Sequence, residues 1–266
     1  MPFPALPLWR WVLGAVCAFG VGVAKTGVPG FGILVVPLMV QAAGDARQSA
    51  GWLLPMLCSA DVLAVAYYRR HTQARRLFSL LPWVLLGMGG GSLMLSGPEL
   101  LLRRVVGGIV LAMIAIRLRR GRSGAAPPPA AAPPAAMEAR PRSETMGRAA
   151  AYGVSAGFAT MVANAAGPVM NMYLLAKRLP KEEFIATGAW FFLVINLCKL
   201  PVYAAHGLIG ARSLAFDLAL LPAVIAGAIS GRAIAARLPQ RSFELAILGL
   251  TVFAALLLLV PPIRLL

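Results

Sequence analysis

Lys25-Thr26-Gly27-Val28-Pro29-Gly30-Phe31-Gly32 interrupts an apolar run that begins near residue 9 and resumes over 31–43. Pro29 removes a backbone donor and the glycines permit turn geometry, so no helix passes through this stretch intact. The segment after the break has about 13 residues, which at about 1.5 Å each falls short of a hydrocarbon core about 30 Å thick. A half-helix that returns to the side it entered fits both facts. Ala163-Asn164-Ala165-Ala166-Gly167 breaks a second run in the same way, between 147–162 and 168–178, with Pro168 at the first turn of the short segment. The two breaks predict two re-entrant helical hairpins.

The remaining chain supplies what such hairpins need around them. Of 266 residues, 59% are hydrophobic and 13% charged, and the mean hydropathy is +0.79. A soluble domain of this size needs far more polar surface, so the composition specifies an integral membrane protein and excludes soluble enzymes and DNA-binding folds. Ordinary spans are predicted over 50–68, 79–96 and 99–117, and again over 184–205, 213–230 and 243–260. Met1 to Val23 carries Arg10 before an apolar run, but no A-x-A cleavage site follows, so it reads as a retained first helix.

From Arg117 to Arg148 the composition changes to Arg, Ala and Pro, with no apolar period and with proline runs that a helix cannot carry. This is read as a flexible, partly extended linker between two halves of about 120 residues each. Leu81-Pro82-Trp83-Val84-Leu85-Leu86-Gly87 aligns with Leu221-Pro222-Ala223-Val224-Ile225-Ala226-Gly227, and Gly51-Trp52-Leu53-Leu54 less closely with Gly188-Ala189-Trp190-Phe191. The expected organisation is a membrane repeat at 1–120, an Ala/Pro-rich cytoplasmic linker at 121–146 and a second membrane repeat at 147–266.

The charge pattern reports topology. The formal net charge is +16, and the 25 basic residues include four lysines. With the Arg69 to Arg76 loop placed inside, span counting also puts the linker, Lys177-Arg178-Lys181 and the Arg232, Arg237 and Arg241 loop inside, 17 of the 25 basic residues in all. Equivalent loops of the halves then lie on opposite sides. The predicted fold is therefore an all-α polytopic membrane protein of two inverted repeats, each a re-entrant hairpin plus three transmembrane helices. The count closes only if each hairpin returns to its side of entry. The basic charge is thereby accounted for without a nucleic-acid partner.

A helix start exposed inside a membrane presents unpaired N–H groups, which attract anions. At the first break the candidate substrate-binding residues are Lys25, Thr26, Gly27 and Gly30; at the second they are Asn164, Gly167 and Asn171. Two facing half-helix N-termini make a site for a small anion. Asn196 and Lys199 share a helix face, and a lysine at that depth needs a polar cavity or a partner. The competing reading has Lys25 snorkelling, the glycines packing helices and the asparagines bonding between helices. Asp61, deep in the span 50–68, either pairs with Lys25 or Lys199 or accepts a proton during transport. Gly87-Met88-Gly89-Gly90-Gly91 reads as a packing surface, and Pro201 as a kink or helix end. Cys17, Cys58 and Cys198 stand singly as small apolar residues. No metal-ligand, cofactor or hydrolytic constellation occurs, so no catalytic residue is assigned.

At these motifs the chain resembles the TauE/SafE sulfite exporter family. The matching stretches are 25–32 with Pro37; Leu54-Pro55 with Asp61 and Tyr68-Arg69-Arg70; Asn164-Ala165-Ala166-Gly167-Pro168; and Thr187-Gly188-Ala189-Trp190 through Asn196 and Lys199-Leu200-Pro201. The resemblance implies a multi-pass permease of a bacterial inner membrane that exports sulfite, sulfonates or sulfoacetate. It takes a small organosulfur or sulfur oxyanion from one side of the lipid bilayer to the other, and a homodimer is compatible with it. The alternatives are a non-transporting membrane scaffold or assembly factor, and a proton- or sodium-coupled importer of another small anion.

Overall fold

The computed structural model of the chain describes residues 6–44, 46–71, 74–93, 99–122, 142–163 and 166–259. Ten α-helices form there, with one short 3-10 turn at Arg69–His71 and no strand among the described residues. In chain order they are α1 (Leu8–Thr26), α2 (Gly32–Ala43), α3 (Ala46–Tyr68), α4 (Ala74–Leu93), α5 (Glu99–Arg122), α6 (Arg142–Ala163), α7 (Ala166–Ala176), α8 (Lys181–Ala205), α9 (Ala211–Arg237) and α10 (Gln240–Leu259). Each predicted apolar segment became one helix.

Among the described residues five helices are long and apolar enough to cross a membrane: Leu8–Thr26, Gln48–Tyr68, Lys181–Ala205, Ala211–Arg237 and Gln240–Leu257. The apolar parts of α4 and α5 are shorter, at Leu80–Leu93 and Arg104–Ile116. Apolar side chains such as Trp9, Val16, Leu86, Leu218 and Ile229 are exposed on the outside of the bundle. A solvent that is itself apolar accommodates them. The chain is an all-α, multi-pass membrane protein.

Boundaries differ from expectation where apolarity is a poor guide. α6 begins at Arg142, five residues before the apolar run, because Arg, Ser, Glu and Thr can form a polar first turn that hydropathy does not register. α5 runs on to Arg122, so helix enters the predicted linker from both sides, and residues 123–141 lie outside the described residues. Pro201 lies within α8, which continues to Ala205.

The two short helices have the predicted length: α2 has 12 residues and α7 has 11. α2 doubles back along α1, the Cys17 thiol facing the Val35 carbonyl at 3.9 Å. The reversal is made at Gly30, whose φ of 111° is a left-handed value that suits glycine. Its depth is set by Tyr68, the last residue of α3, whose hydroxyl donates to the Thr26 carbonyl at 2.8 Å. The turn thus lies level with the end of α3, and α1 by itself is long enough to span.

Two helix pairs cross between the halves. α1 lies along α9, running in the same direction: Gly14 meets Phe216 and Leu220, Gly22 meets Val224 and Ala228, and Gly27 meets Gly231. α4 lies along α6 in the same way, with Gly153 against Trp83, Gly157 against Val84 and Met88, and Gly91 against Met161. Within the glycine cluster of α4, Gly87 and Gly91 make the close approach, while a Cβ on Gly89 or Gly90 would meet none of the described residues within 4 Å. The first helix of each half thus packs on the fourth helix of the other. α3 and α8 run in opposite directions, Gly51 lying against Leu208 and Asp61 against Asn196.

Candidate functional site: a cavity between the two hairpins

Lys25 stands in the last turn of α1, where its charge suits the negative end of the helix dipole. Its ammonium Nζ lies 2.8 Å from Asp61 Oδ1 on α3. The other carboxylate oxygen, Asp61 Oδ2, accepts from Asn196 Nδ2 of α8 at 2.7 Å. One ion pair and one hydrogen bond therefore tie three helices at a single buried carboxylate. The Lys25 ammonium also sits 4.1 Å from the centre of the Phe192 ring, one turn before Asn196, a contact of about 0.5–2 kcal/mol.

Asp61 is fully buried, whereas the Lys25 side chain keeps 12% of its surface exposed. That exposed part faces a cavity of about 110 Å³ lined by six helices. Gly32 and Ile33 bring the start of α2 to it, and Ala166, Gly167 and Pro168 bring the start of α7. Asn171, Asn196 and Thr160 add polar groups; the remaining walls are apolar, including Leu53, Leu57 and Phe184. Lys25 is the sole charged side chain among the described residues that line it.

The hairpins meet at the cavity. A Cβ on Gly30, at the first turn, would lie 3.2 Å from Nδ2 of Asn171 on α7. That amide in turn reaches Thr251 Oγ1 on α10 at 3.4 Å. The amides at the start of α2 are less open than expected from the broken helix. Phe31, Ile33 and Leu34 donate to the carbonyls of Val28, Gly30 and Phe31 in tight i to i−3 turns. These three N–H groups are used locally, and the positive end of the helix dipole remains.

Of the residues singled out from the sequence, Lys25, Gly30, Gly167, Asn171 and Asn196 line the cavity, and Asp61 stands behind Lys25. Three others lie elsewhere. Thr26 is buried and donates its hydroxyl to Ala228 O at 2.6 Å and Gly22 O at 3.0 Å. Gly27 is pressed on Gly231. Lys199 is fully buried with its ammonium 5.2 Å from the Tyr203 ring centre. Asn164 lies outside the described residues. Phe192, Thr160 and Thr251 went unremarked in the sequence. The spacing of four between Phe192 and Asn196 already put that ring on the polar face of α8; Thr160 and Thr251 carried no comparable signal.

Chemically, the arrangement can hold one small anion by an ammonium, amide donors and two helix starts. Among the described residues no three His, Cys, Asp or Glu side chains gather as metal ligands. No curated protein and no solved structure matches the chain. The family described as sulfite exporter TauE/SafE, a family of membrane transporters, matches over residues 14–258, which take in both hairpins, the Lys25–Asp61 pair and every wall of the cavity. The chain belongs to the TauE/SafE sulfite exporter family.

Proposed function

We propose that the chain exports a small sulfur-containing anion, such as sulfite, a sulfonate or sulfoacetate, across a bacterial inner membrane by alternating access at this cavity. The observation that carries the reading is the cavity wall itself: one ammonium, from Lys25, next to the starts of α2 and α7. Positive helix ends and a lysine in a low-dielectric interior select for negative charge. Two repeats of opposite orientation explain why α1 packs on α9 while α4 packs on α6, since a pseudo-twofold axis exchanges these pairs. The inside placement of most basic loops agrees with that orientation. A monoanion leaving unaccompanied gains roughly 2.3 kcal/mol per charge from a potential of about 100 mV, negative inside, whereas one leaving with a proton is driven by the anion and proton gradients alone.

Purified full-length protein in liposomes loaded with sulfite or ethanesulfonate tests this. The expected result is anion efflux that depends on the protein and falls strongly in Lys25→Gln. Folded wild-type protein that passes none of sulfite, sulfonates or sulfoacetate would leave the scaffold reading in its place.

A further inference from the structure

The ammonium that an anion must use already has a partner. Lys25 Nζ is 2.8 Å from Asp61 Oδ1, and among the described residues that oxygen has no hydrogen-bond partner beyond this ion pair. Asp61 Oδ2 is held by Asn196. Asp61 is fully buried and lies outside the cavity lining, behind Lys25.

Besides Lys25, the buried charge nearest to Asp61 is Lys199, on the same helix as Asn196. On the elements packed against α3, α1 carries Arg10 at its far end besides Lys25, and α2 carries no charged residue. α9 carries Arg212, Asp217, Arg232 and Arg237, and the turn after α3 carries Arg69 and Arg70. α8 carries Lys181, Glu182 and Glu183 at its start and Lys199 one turn beyond Asn196, buried against Tyr203. The sulfhydryl of Cys58 is one turn away on α3 itself.

An anion entering the cavity therefore meets a neutral ion pair. Adding it alone would give the anion, Lys25 and Asp61 together a net negative charge, which is costly in an apolar interior, and Lys199, turned to Tyr203 and outside the cavity lining, does not reach the anion. Lysine has a flexible four-carbon stem and can turn its ammonium from Asp61 towards the anion. The carboxylate oxygen it leaves is then bare, and a proton neutralises it more cheaply than burial of the free charge. We infer that each anion bound at Lys25 is accompanied by one proton taken up on Asp61 Oδ1, so that Asp61 is a coupling residue behind the anion site. The step balances as anion plus proton plus the Lys25–Asp61 ion pair giving the Lys25–anion ion pair plus a neutral Asp61 carboxyl. One O–H bond forms on Asp61 and one breaks in the hydronium ion or buffer acid that gives up the proton; no electron moves, the Lys25–Asp61 pair is neutral before the step, and Lys25, the anion and Asp61 together are neutral after it. The proton enters by the cavity, which reaches Asp61 once Lys25 turns away.

This inference rests on the anion-site reading above, and the two fail differently. Ethanesulfonate is the probe, because the anion of a strong acid exchanges no proton of its own. It is titrated into the purified full chain in weakly buffered solution near pH 7, with binding followed by thermal shift and proton exchange by a pH electrode. About one proton taken up per anion bound is expected, with apparent affinity weakening by up to about tenfold per unit rise in pH. Asp61→Asn should keep binding and lose the uptake. Ethanesulfonate binding by the wild type without proton uptake would overturn the coupling while leaving the anion site standing; uptake that persists in Asp61→Asn would do the same. The wild-type measurement decides the question even where the variant does not fold. Absence of binding to the wild type would overturn the anion-site reading and the coupling with it.

Discussion

Tyr68, the last residue of α3, donates its hydroxyl to the main-chain carbonyl of Thr26, the last residue of α1, at 2.8 Å. The final carbonyls of a helix have no partner within it, and in an apolar setting each must find one. Tyr68 meets one such need and fixes the depth of the hairpin turn. The Thr26 hydroxyl, bonded to Ala228 O at 2.6 Å, fixes the same residue to α9. Lys25, immediately before Thr26, is thereby delivered to Asp61.

Tyr68→Phe removes one buried hydrogen bond and leaves the ring, at a net cost of about 0.5–1.5 kcal/mol. Thermal unfolding in detergent should show a lowered Tm. Tyr67→Phe is the comparison: its ring stays over the Arg232 guanidinium, 5.0 Å away, and its Tm should move less. Equal shifts for the two would mean that the Tyr68 hydroxyl holds nothing.

Close backbone approach between α1 and α9 requires glycine at both ends of one contact. A Cβ on Gly27 would lie 2.5 Å from the Gly231 carbonyl oxygen, and one on Gly231 would lie 2.6 Å from Thr26 Oγ1. Because these are backbone and near-backbone atoms on two helices, the pair must separate to admit a methyl group. Gly27→Ala and Gly231→Ala should each destabilise by about 1–3 kcal/mol. Gly249→Ala, with no atom within 4 Å, should be tolerated. Denaturation midpoints of the three variants check this.

Much of this architecture is legible from local sequence because helix breaking is a local event. Pro29 with Gly30 marks the first hairpin turn and Gly167 with Pro168 the first turn of α7, and α2 and α7 match the expected half-helices to within two residues at each end. Long-range packing is a different matter. That Asp61 takes Lys25 rather than Lys199 depends on how α1, α3 and α8 approach one another, and both lysines were equally open to it. The exchange of α1 and α4 between the halves is set by glycines whose partners lie some 70 to 200 residues away, a pairing that periodicity does not encode. Thr26 adjoins Lys25 in the same helix break, yet successive helix residues point about 100° apart, and its hydroxyl faces α9.

The predicted inside placement of the basic loops gives a parity test across α3 and across α9. Single cysteines in place of Arg69 and Arg237 should react with an impermeant thiol reagent from the cytoplasmic side, and cysteines in place of Gln48 and Gly210 from outside. Gln48 lies in the first turn of α3 and Arg69 just past its end, while Gly210 precedes α9 and Arg237 ends it. Labelling of Arg69 and Gly210 positions from the same side would contradict the hairpin count.

Removing one member of a buried ion pair strands the other. Lys25→Met alone should cost about 3–5 kcal/mol, because Asp61 loses the ammonium on Oδ1 while remaining fully buried. Lys25→Met combined with Asp61→Asn removes both charges and should recover part of that loss. The double-variant cycle, read from unfolding midpoints, yields a coupling energy of either sign for pairs in contact. Here it should show the double variant more stable than Lys25→Met; a double variant as unstable as the sum of the two single changes would deny the pairing.

Lys25 and Lys199 should separate anion recognition from packing. Lys25 is on the cavity wall, while Lys199 is fully buried away from it with its ammonium over Tyr203. A ligand at about 100 times its Kd stabilises the form that binds it by about 2.7 kcal/mol, so ethanesulfonate should raise the Tm of the wild type. Lys25→Gln takes away the charge that the anion meets, and the shift should shrink markedly. Lys199→Gln should lower the starting Tm through altered packing and keep most of the anion-induced shift. The opposite pattern, with the shift kept in Lys25→Gln and lost in Lys199→Gln, would move the anion site from the hairpin cavity to the interior of the α3–α8 contact.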